Sequence, residues 1–150
     1  MRKSTVTLSD ILREHGHSTT KQRRVVFDAL FHQEPMTMTE LYRSTHGQLD
    51  RASIYRTIEL FEKLGIATRV AIGWKYKIEL SDIFSEHHHH LTCLKCHKII
   101  PINKNELEQF IMHLAKENCF LALEHQVEIQ GHCQECAKSA PQIKGDTQED

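Results

Sequence analysis

Two Cys-x-x-Cys pairs, Cys93/Cys96 and Cys133/Cys136, stand with 36 residues between them. Each pair can supply two vertices of a tetrahedron from one tight turn, so the pattern predicts a closed structural Zn(II) site made of four thiolates. A redox dithiol is the competing interpretation, but it needs only one such pair at the start of a helix. The fifth cysteine, Cys119, is expected to be a small buried residue.

Four consecutive histidines, His87 to His90, come just before the first cysteine pair. Alternate side chains of an extended segment point to opposite faces, so His88 and His90 are expected to face one way and His87 and His89 the other. Imidazole combined with carboxylate suits Fe(II), Zn(II), Mn(II) or Ni(II). Each pair needs further ligands, and the candidates within reach are Glu79, Asp82, Glu86, Glu108 and His125.

A basic segment that begins at Asp50 has the side chains of a DNA-reading helix. Arg51, Ser53, Tyr55 and Arg56 lie near its start, the part that such helices place in a major groove. Arginine can bind guanine edges or phosphates, and tyrosine can contact a thymine methyl group or a phosphate. Thr20, Arg23 and Arg24 precede it and can contact the DNA backbone. A solvated basic face is the competing interpretation.

The elements that must position these side chains fall into two groups. Helical periodicity predicts helices that begin near Val6, after residues 18–20, at Thr37 or Thr39, and at Asp50. Gly65 ends the last of them, and alternation over 68–71 and 74–80 then predicts a hairpin that turns at residues 72–73. Helices followed by such a hairpin are typical of a winged helix-turn-helix.

The second half predicts a small α/β unit. Strands are expected over 90–93, 98–102 and 121–130, with a helix over 105–118 between the second and third strands. A unit of this size needs a staple such as zinc, and a second subunit can cover its strand edges. The fold class is therefore α+β, with an N-terminal winged helix-turn-helix domain followed by a small α/β dimerisation domain with a four-cysteine structural zinc site.

Composition separates the two halves further. The net charge is −1, but residues 1–80 hold 13 Lys/Arg against 9 Asp/Glu, while residues 81–150 hold 6 against 11. A basic first half suits phosphates, and an acidic, histidine-rich second half suits cations. No apolar run approaches the roughly 20 residues that span a bilayer, and no signal peptide is recognised. Cysteines in metal-binding spacing then favour a cytoplasmic protein.

Together these residues resemble the ferric uptake regulator family of bacterial metal-dependent repressors. The resemblance covers residues from about 8 to 136. It is carried by Thr20-Lys-Gln-Arg, Ser53-Ile-Tyr-Arg-Thr-Ile, His87-His-His-His-Leu-Thr-Cys-Leu-Lys-Cys and Gly131-His-Cys-Gln-Glu-Cys. The order and spacing of the last three are highly specific.

The resemblance implies a winged-helix DNA-binding domain over 1–80, a hinge over 81–86 and a dimerisation and metal-binding domain over 87–136; the polar segment 137–150 is expected to be a disordered tail. The implied structural zinc ligands are Cys93, Cys96, Cys133 and Cys136. The implied regulatory hinge site consists of Glu79, His88 and His90. The implied second site consists of His87, His89, Glu108 and His125.

The chain departs from the family pattern at the hinge. Family members commonly place a histidine where this chain has Pro35, and a carboxylate is often found where it has Pro101. His32 or Asp82 therefore remains open as a replacement ligand. No free cysteine lies near the hinge, which favours Fe(II) as the effector, with Zn(II) second and peroxide sensing through bound iron third.

The resemblance implies a homodimeric, metal-responsive repressor of metal-uptake genes that binds a palindromic double-stranded DNA operator. No membrane and no small-molecule substrate are expected as partners, and the protein is not expected to be an enzyme. Two interpretations outside the family remain. A zinc hydrolase would need an open coordination position with a general base beside it, and a zinc-stapled interaction module would leave the basic helix unexplained.

Overall fold

The computed structural model describes residues 6–31 and 33–139. Four helices come first along the chain. They are α1 (Leu8–Glu14), α2 (Lys21–Leu30), α3 (Met38–Ser44) and α4 (Arg51–Lys63). Each begins after a residue whose side-chain oxygen accepts a hydrogen bond from a backbone N–H of the first turn; these caps are Thr7, Thr20, Thr37 and Asp50. Capping satisfies donors that the helix cannot pair internally, so hydroxyl and carboxylate positions fix where the helices start.

A two-stranded antiparallel hairpin follows α4. Gly65, at φ +68°, ends the helix, and the chain continues into β1 (Ala67–Ile72) and β2 (Lys75–Leu80). The turn is Gly73-Trp74, one residue later than predicted, because Gly73 adopts the positive φ of +60° that the turn requires. Trp74 at the tip is 95% exposed. The helices and hairpin form the predicted winged helix-turn-helix.

A single apolar core supports this first half. Its most enclosed members come from all four helices and from the hairpin: Leu12, Val26, Leu41, Ile54, Phe61, Ile66 and Ile78. Burying such side chains removes apolar surface from water, which is the main favourable term in folding. The core therefore holds α4 against the hairpin and fixes the direction in which its exposed face points.

The second half contains a three-stranded sheet and two helices. β3 (His89–Cys93) lies in the middle, antiparallel to β4 (Ile99–Ile102) and parallel to β5 (Glu128–Gly131). α5 (Asn105–Glu117) connects β4 to β5, and α6 (Gln134–Lys138) follows β5. The α+β class is thus confirmed.

The predicted third strand is wrong over most of its length. It was expected over 121–130, but pairing begins only at Glu128, because β3 offers a partner edge only from His90 onward. Leu121 and Leu123, which suggested a strand, are 80% and 85% exposed. α6 was not predicted, and it extends two residues into the segment expected to be a tail; residues 140–150 lie outside the described residues.

Between residues 81 and 139 the four buried residues are three polar residues and one cysteine. They are His89, His90, Thr92 and Cys93. Three apolar side chains of α5 are at least half exposed: Phe110 by 62%, Met112 by 51% and Leu114 by 50%. Cys119, expected to be buried, is exposed at φ +52° just after α5. A half without an apolar core in the single chain depends on other sources of stability.

The two halves contact each other through the linker and the hairpin. The ring of Phe84 packs edge-on against Phe27 of α2, with centroids 4.9 Å apart. Along the outer edge of β1, the Ala71 N–H donates to Glu128 Oε1 and the Gly73 N–H donates to Gln130 Oε1, each over 3.3 Å. Among the described residues, no helix has the length and apolar character needed to cross a membrane.

Candidate metal centres and DNA-binding face

The four paired cysteines come together at the end of the sheet. Cys93 ends β3, Cys96 lies in the turn after it, Cys133 precedes α6 and Cys136 lies within α6. Their sulfur atoms all lie within 4.8 Å of one another, and the Sγ atoms of Cys96 and Cys133 are 3.7 Å apart. This cysteine cluster fits the four-thiolate arrangement of a structural zinc site.

The thiols of the cysteine cluster are unequal in acidity. Backbone N–H groups of Cys96 and Cys133 lower the pKa of the Cys93 thiol to about 5. Desolvation and the neighbouring thiols raise the pKa of Cys136 to about 12. Near neutral pH Cys93 is therefore a thiolate, whereas Cys136 keeps its proton until a cation replaces it. Zinc ligation by thiols releases protons in this way.

The hinge cluster consists of Glu79, His88 and His90. Glu79 lies near the end of β2, His88 in the linker and His90 on β3. The Nε2 atoms of His88 and His90 lie 3.4 Å and 3.3 Å from the same oxygen, Oε2 of Glu79. The backbone carbonyl of Glu86 accepts a hydrogen bond from His88 Nδ1 over 2.8 Å, which leaves His88 Nε2 free to face the cluster.

Burial makes the hinge cluster a suitable cation site. His90 is 3% exposed, and neither of its ring nitrogens makes an aligned hydrogen bond among the described residues, although Nε2 lies 3.3 Å from Glu79 Oε2. Unpaired buried polar atoms are costly, and a bound cation would satisfy one of them. Although desolvation opposes it, the Glu86 carbonyl and the Glu79 carboxylate raise the pKa of His88, which is the response of an imidazole facing negative charge.

Both family departures noted above occur beside the hinge cluster. Pro35 and Pro101 line a cavity of about 290 Å³ together with the three cluster residues. Leu30, Leu80 and Phe84 also line this cavity and make much of its surface apolar. The described residues therefore supply three ligand atoms to this site. His32, the candidate replacement, lies outside the described residues.

The second cluster gathers His87, His89, Glu108 and His125, again with ligand atoms within 4.8 Å of one another. Glu108 of α5 is central: its Oε1 lies 2.8 Å from His89 Nε2 and its Oε2 lies 2.8 Å from His125 Nε2. Although desolvation opposes it, the three surrounding histidines lower the pKa of Glu108. This cluster also holds α5 against the sheet.

His89 differs from the other members of the second cluster because one of its ring nitrogens accepts a hydrogen bond from the backbone. Its Nδ1 accepts a hydrogen bond from the Val127 N–H over 3.2 Å, so in the neutral ring Nε2 carries the proton and donates to Glu108. Binding a cation through Nε2 would move that proton to Nδ1 and break the Val127 hydrogen bond. His87, Glu108 and His125 can bind a cation without this rearrangement.

Asp82 lies outside both histidine clusters. Its carboxylate accepts a hydrogen bond from His87 Nδ1, on the side of the ring that faces away from the second cluster. The structure thus places Glu79, rather than Asp82, in the hinge cluster.

The proposed DNA-binding residues divide into exposed side chains and side chains engaged in caps. Arg51, Tyr55 and Arg56 are exposed on the first turns of α4, and the Arg51 guanidinium stacks 4.8 Å above the Tyr42 ring. The Ser53 hydroxyl donates to Asp50 Oδ2, and the Thr20 hydroxyl caps α2. Arg23 donates to the Ser18 carbonyl. Arg51, Tyr55 and Arg56 are therefore the side chains most available to DNA.

Sequence reasoning missed the contact of Glu128 and Gln130 with the hairpin. The available signal was the alternation of polar side chains at positions 124, 126, 128 and 130, which places one set on a common face of a strand. It did not show that this set would meet the free N–H groups at the edge of β1.

A winged helix with an exposed basic face, joined to a sheet that carries a four-cysteine cluster and two histidine-carboxylate clusters, defines a metal-binding regulator of transcription. The model of the ferric uptake regulator family matches residues 14–130. The chain therefore belongs to the ferric uptake regulator family, whose members are metal-binding, DNA-binding, dimeric regulators and not enzymes. This overturns the zinc hydrolase interpretation.

Named relatives agree with this assignment. The ferric uptake regulation protein of Campylobacter upsaliensis is 33% identical over 135 residues, which cover 84% of each chain. The peroxide-responsive repressor of Staphylococcus epidermidis is 29% identical, with 83% of this chain and 85% of that protein covered. The structure of a zinc-bound manganese uptake regulator matches with a TM-score of 0.63 at 31% identity, covering 85% of this chain and 99% of that one. The structure of the Helicobacter pylori ferric uptake regulator, which has three functional metal-binding sites, matches in fold with a TM-score of 0.73 at 24% identity, covering 90% and 97%.

Proposed function

We propose that this protein is a homodimeric, metal-responsive repressor that binds palindromic operators of metal-uptake genes in the cytoplasm, with Fe(II) as its effector. The position of Glu79 carries the proposal. This carboxylate belongs to the hairpin of the winged-helix half, yet it faces His88 of the linker and His90 of the second sheet. A cation shared by the three would tie the two halves of the chain together.

The cysteine cluster would hold a structural Zn(II) through Cys93, Cys96, Cys133 and Cys136. The hinge cluster would hold the exchangeable divalent ion, and the second cluster would hold another through His87, His89, Glu108 and His125. When bound, a cation at the hinge supplies positive charge that satisfies Glu79 and one ring nitrogen of His90, Nε2. The hairpin and β3 are then held in one relative orientation, and α4 with them, because β2 and α4 share one apolar core.

Dimer formation follows from the exposed apolar residues of α5 and the segment after it. Phe110, Leu114, Phe120 and Leu121 are each at least half exposed in the single chain. Several exposed apolar side chains on one helix and the segment after it are typical of a protein interface. Two chains joined there would present two α4 helices, which suits two half-sites of a palindrome about one helical turn apart.

Fe(II) is favoured because the hinge cluster offers imidazole and carboxylate without a thiolate. Cys119, the one cysteine of the described residues outside the cysteine cluster, belongs to neither histidine cluster. Affinity alone does not select the metal, since the same donors bind Zn(II) tightly. Regulation of zinc uptake is therefore the second candidate, and peroxide sensing is the third, supported by the similarity to a peroxide-responsive repressor.

The test is operator binding measured by fluorescence anisotropy with duplexes from the organism's own metal-uptake promoters. The zinc-loaded dimer is titrated without oxygen in the presence of Fe(II), Zn(II) or Mn(II), and with a chelator of exchangeable ions. Fe(II)-dependent binding of an iron-uptake promoter is the expected result. Binding that responds only to Zn(II) supports the second candidate, and loss of Fe(II)-dependent binding on adding peroxide supports the third. Absence of binding under every condition contradicts the proposal.

A further inference from the structure

Asp82, in the linker between β2 and β3, contacts one histidine from each histidine cluster. Its Oδ2 accepts a hydrogen bond from His87 Nδ1, and its Oδ1 lies 3.9 Å from His88 Nδ1. His87 faces the second cluster with its other nitrogen, which lies 3.0 Å from His125 Nε2. His88 faces the hinge cluster with its other nitrogen. One carboxylate therefore stands behind a histidine of both clusters.

We propose that Asp82 is a positioning residue that couples cation binding at the second cluster to cation binding at the hinge cluster, an inference that rests on the proposed function. A carboxylate on the outer nitrogen of a metal-binding histidine fixes the tautomer and the orientation of the ring. Asp82 does this directly for His87. Through its second oxygen it adds negative charge beside His88, a residue that belongs to the other cluster.

The coupling arises because the same side chain meets both rings. The Asp82 side chain is 48% exposed, so its hydrogen bond to His87 is what restrains it. A cation that fixes His87 in the second cluster also fixes Asp82, and Oδ1 then stays beside His88. Coupling of this kind is reciprocal, so a cation at the hinge favours the second cluster by the same factor.

The contacts of the two rings predict that removal of the Asp82 carboxylate affects the two clusters differently. His88 already donates from Nδ1 to the Glu86 carbonyl, whereas the Nδ1 contact of His87 is with Asp82. Removing the carboxylate should therefore weaken the second cluster directly, by roughly 10-fold or more in affinity. At the hinge cluster, the loss should appear mainly as loss of the dependence on the second cluster.

The experiment titrates Co(II) into the full-length protein with its cysteine-bound zinc retained. Affinities at the two clusters are measured by chelator competition and by the visible spectrum of Co(II). Four proteins are compared: the natural chain, Asp82→Asn, His125→Ala, which disables the second cluster, and the double variant. Glu86→Gln is the matched control, because Glu86 is an exposed carboxylate of the same linker whose side chain contacts neither cluster among the described residues.

In the natural chain, His125→Ala should lower Co(II) affinity at the hinge cluster by about 5-fold or more. In the Asp82→Asn background, the same change should have no effect at the hinge, and Glu86→Gln should behave as the natural chain. With Zn(II) bound, the natural chain should show a downfield proton resonance for His87 Nδ1–H, and Asp82→Asn should lose it. A purely structural role of Asp82 would give neither this loss nor the loss of coupling.

Equal effects of His125→Ala with and without Asp82 overturn the inference and leave the proposed function intact. A natural chain that binds no exchangeable Co(II) at all contradicts the proposed function as well. The two failures are therefore distinguishable within one set of titrations.

Discussion

His90 and Glu128 lie directly opposite each other on the neighbouring parallel strands β3 and β5. His90 belongs to the hinge cluster, and Glu128 accepts a hydrogen bond from Ala71 of the hairpin. This pair therefore contacts the hairpin at two places: His90 lies beside Glu79 of β2, and Glu128 binds the edge of β1. Movement of the hairpin away from the sheet must break both contacts, which makes the geometry of the hinge cluster and the hairpin orientation interdependent.

Cys136→Ser should remove the structural zinc and unfold the second half, because that half has no apolar core of its own and metal binding supplies folding free energy directly. Zinc content and far-UV circular dichroism measure both effects. Cys119→Ser is the control, since Cys119 is exposed and outside the cysteine cluster. A folded, zinc-free Cys136→Ser protein would contradict the structural role.

Zinc binding by the cysteine cluster should release at least two protons per chain at pH 7. The pKa values of Cys96 and Cys136 are both raised, that of Cys136 to about 12, so both thiols are protonated before zinc binds. Calorimetry of zinc binding in buffers of different ionisation enthalpy counts the protons. Apparent zinc affinity should therefore fall as pH falls. An apparent zinc affinity that does not change between pH 6 and pH 8 would show that the thiols are already ionised.

His90→Ala should preserve the fold but abolish the response of operator binding to exchangeable metal. The side chain makes no aligned hydrogen bond among the described residues, and Glu79 keeps its contact with His88 when His90 is removed. Operator affinity with metal should fall to the value measured with chelator, while thermal unfolding shows a folded protein. His113→Ala, an exposed histidine of α5, is the matched control. Full metal dependence in His90→Ala would exclude this residue from the site.

Arg56→Ala should weaken operator binding by roughly 1–3 kcal/mol if the guanidinium reads a base edge. The loss should be larger for the operator than for a scrambled duplex, as measured by anisotropy at fixed salt. Lys63→Ala, an exposed cation at the other end of α4, controls for net charge. Equal losses on both duplexes would indicate a phosphate contact instead.

Glu40→Ala should destabilise the protein near neutral pH, but not at acidic pH. The backbone N–H and hydroxyl of Thr37 lower the pKa of Glu40, so its folded pKa lies below its unfolded value. The contribution is therefore complete above the unfolded pKa and disappears as pH falls through the folded pKa. Urea unfolding of both proteins from pH 7 to pH 3 measures the difference. Thr37→Ala, at a cost of about 1 kcal/mol, should remain destabilising at low pH, because its hydroxyl also caps the Glu40 N–H.

Short-range chemistry made much of the fold predictable. Helix starts at Thr20 and Asp50 follow from cap side chains, and the end of α4 follows from Gly65, because these residues act within one turn of the chain. The members of the three ligand clusters were also named in advance, from spacing and from resemblance, and the structure brings each group together. Whether these groups bind metal remains a prediction.

Features that depend on distant partners were not predictable. The prediction of a strand over 121–130 is wrong at its start, because the alternation that includes Leu121 and Leu123 does not reveal where the partner strand ends. Nor did local pattern show that Val127 would donate to His89, or that Asp82 would bond His87 instead of entering the hinge cluster. Each of these contacts joins residues whose proximity is decided by the packing of the sheet.

Trp74 is the single tryptophan of the chain, and it stands at the solvent-exposed tip of the hairpin. Its indole emission therefore reports from one known place, without a label. The wavelength and intensity of that light give a direct optical record of when the hairpin tip meets DNA, a second subunit or bulk water.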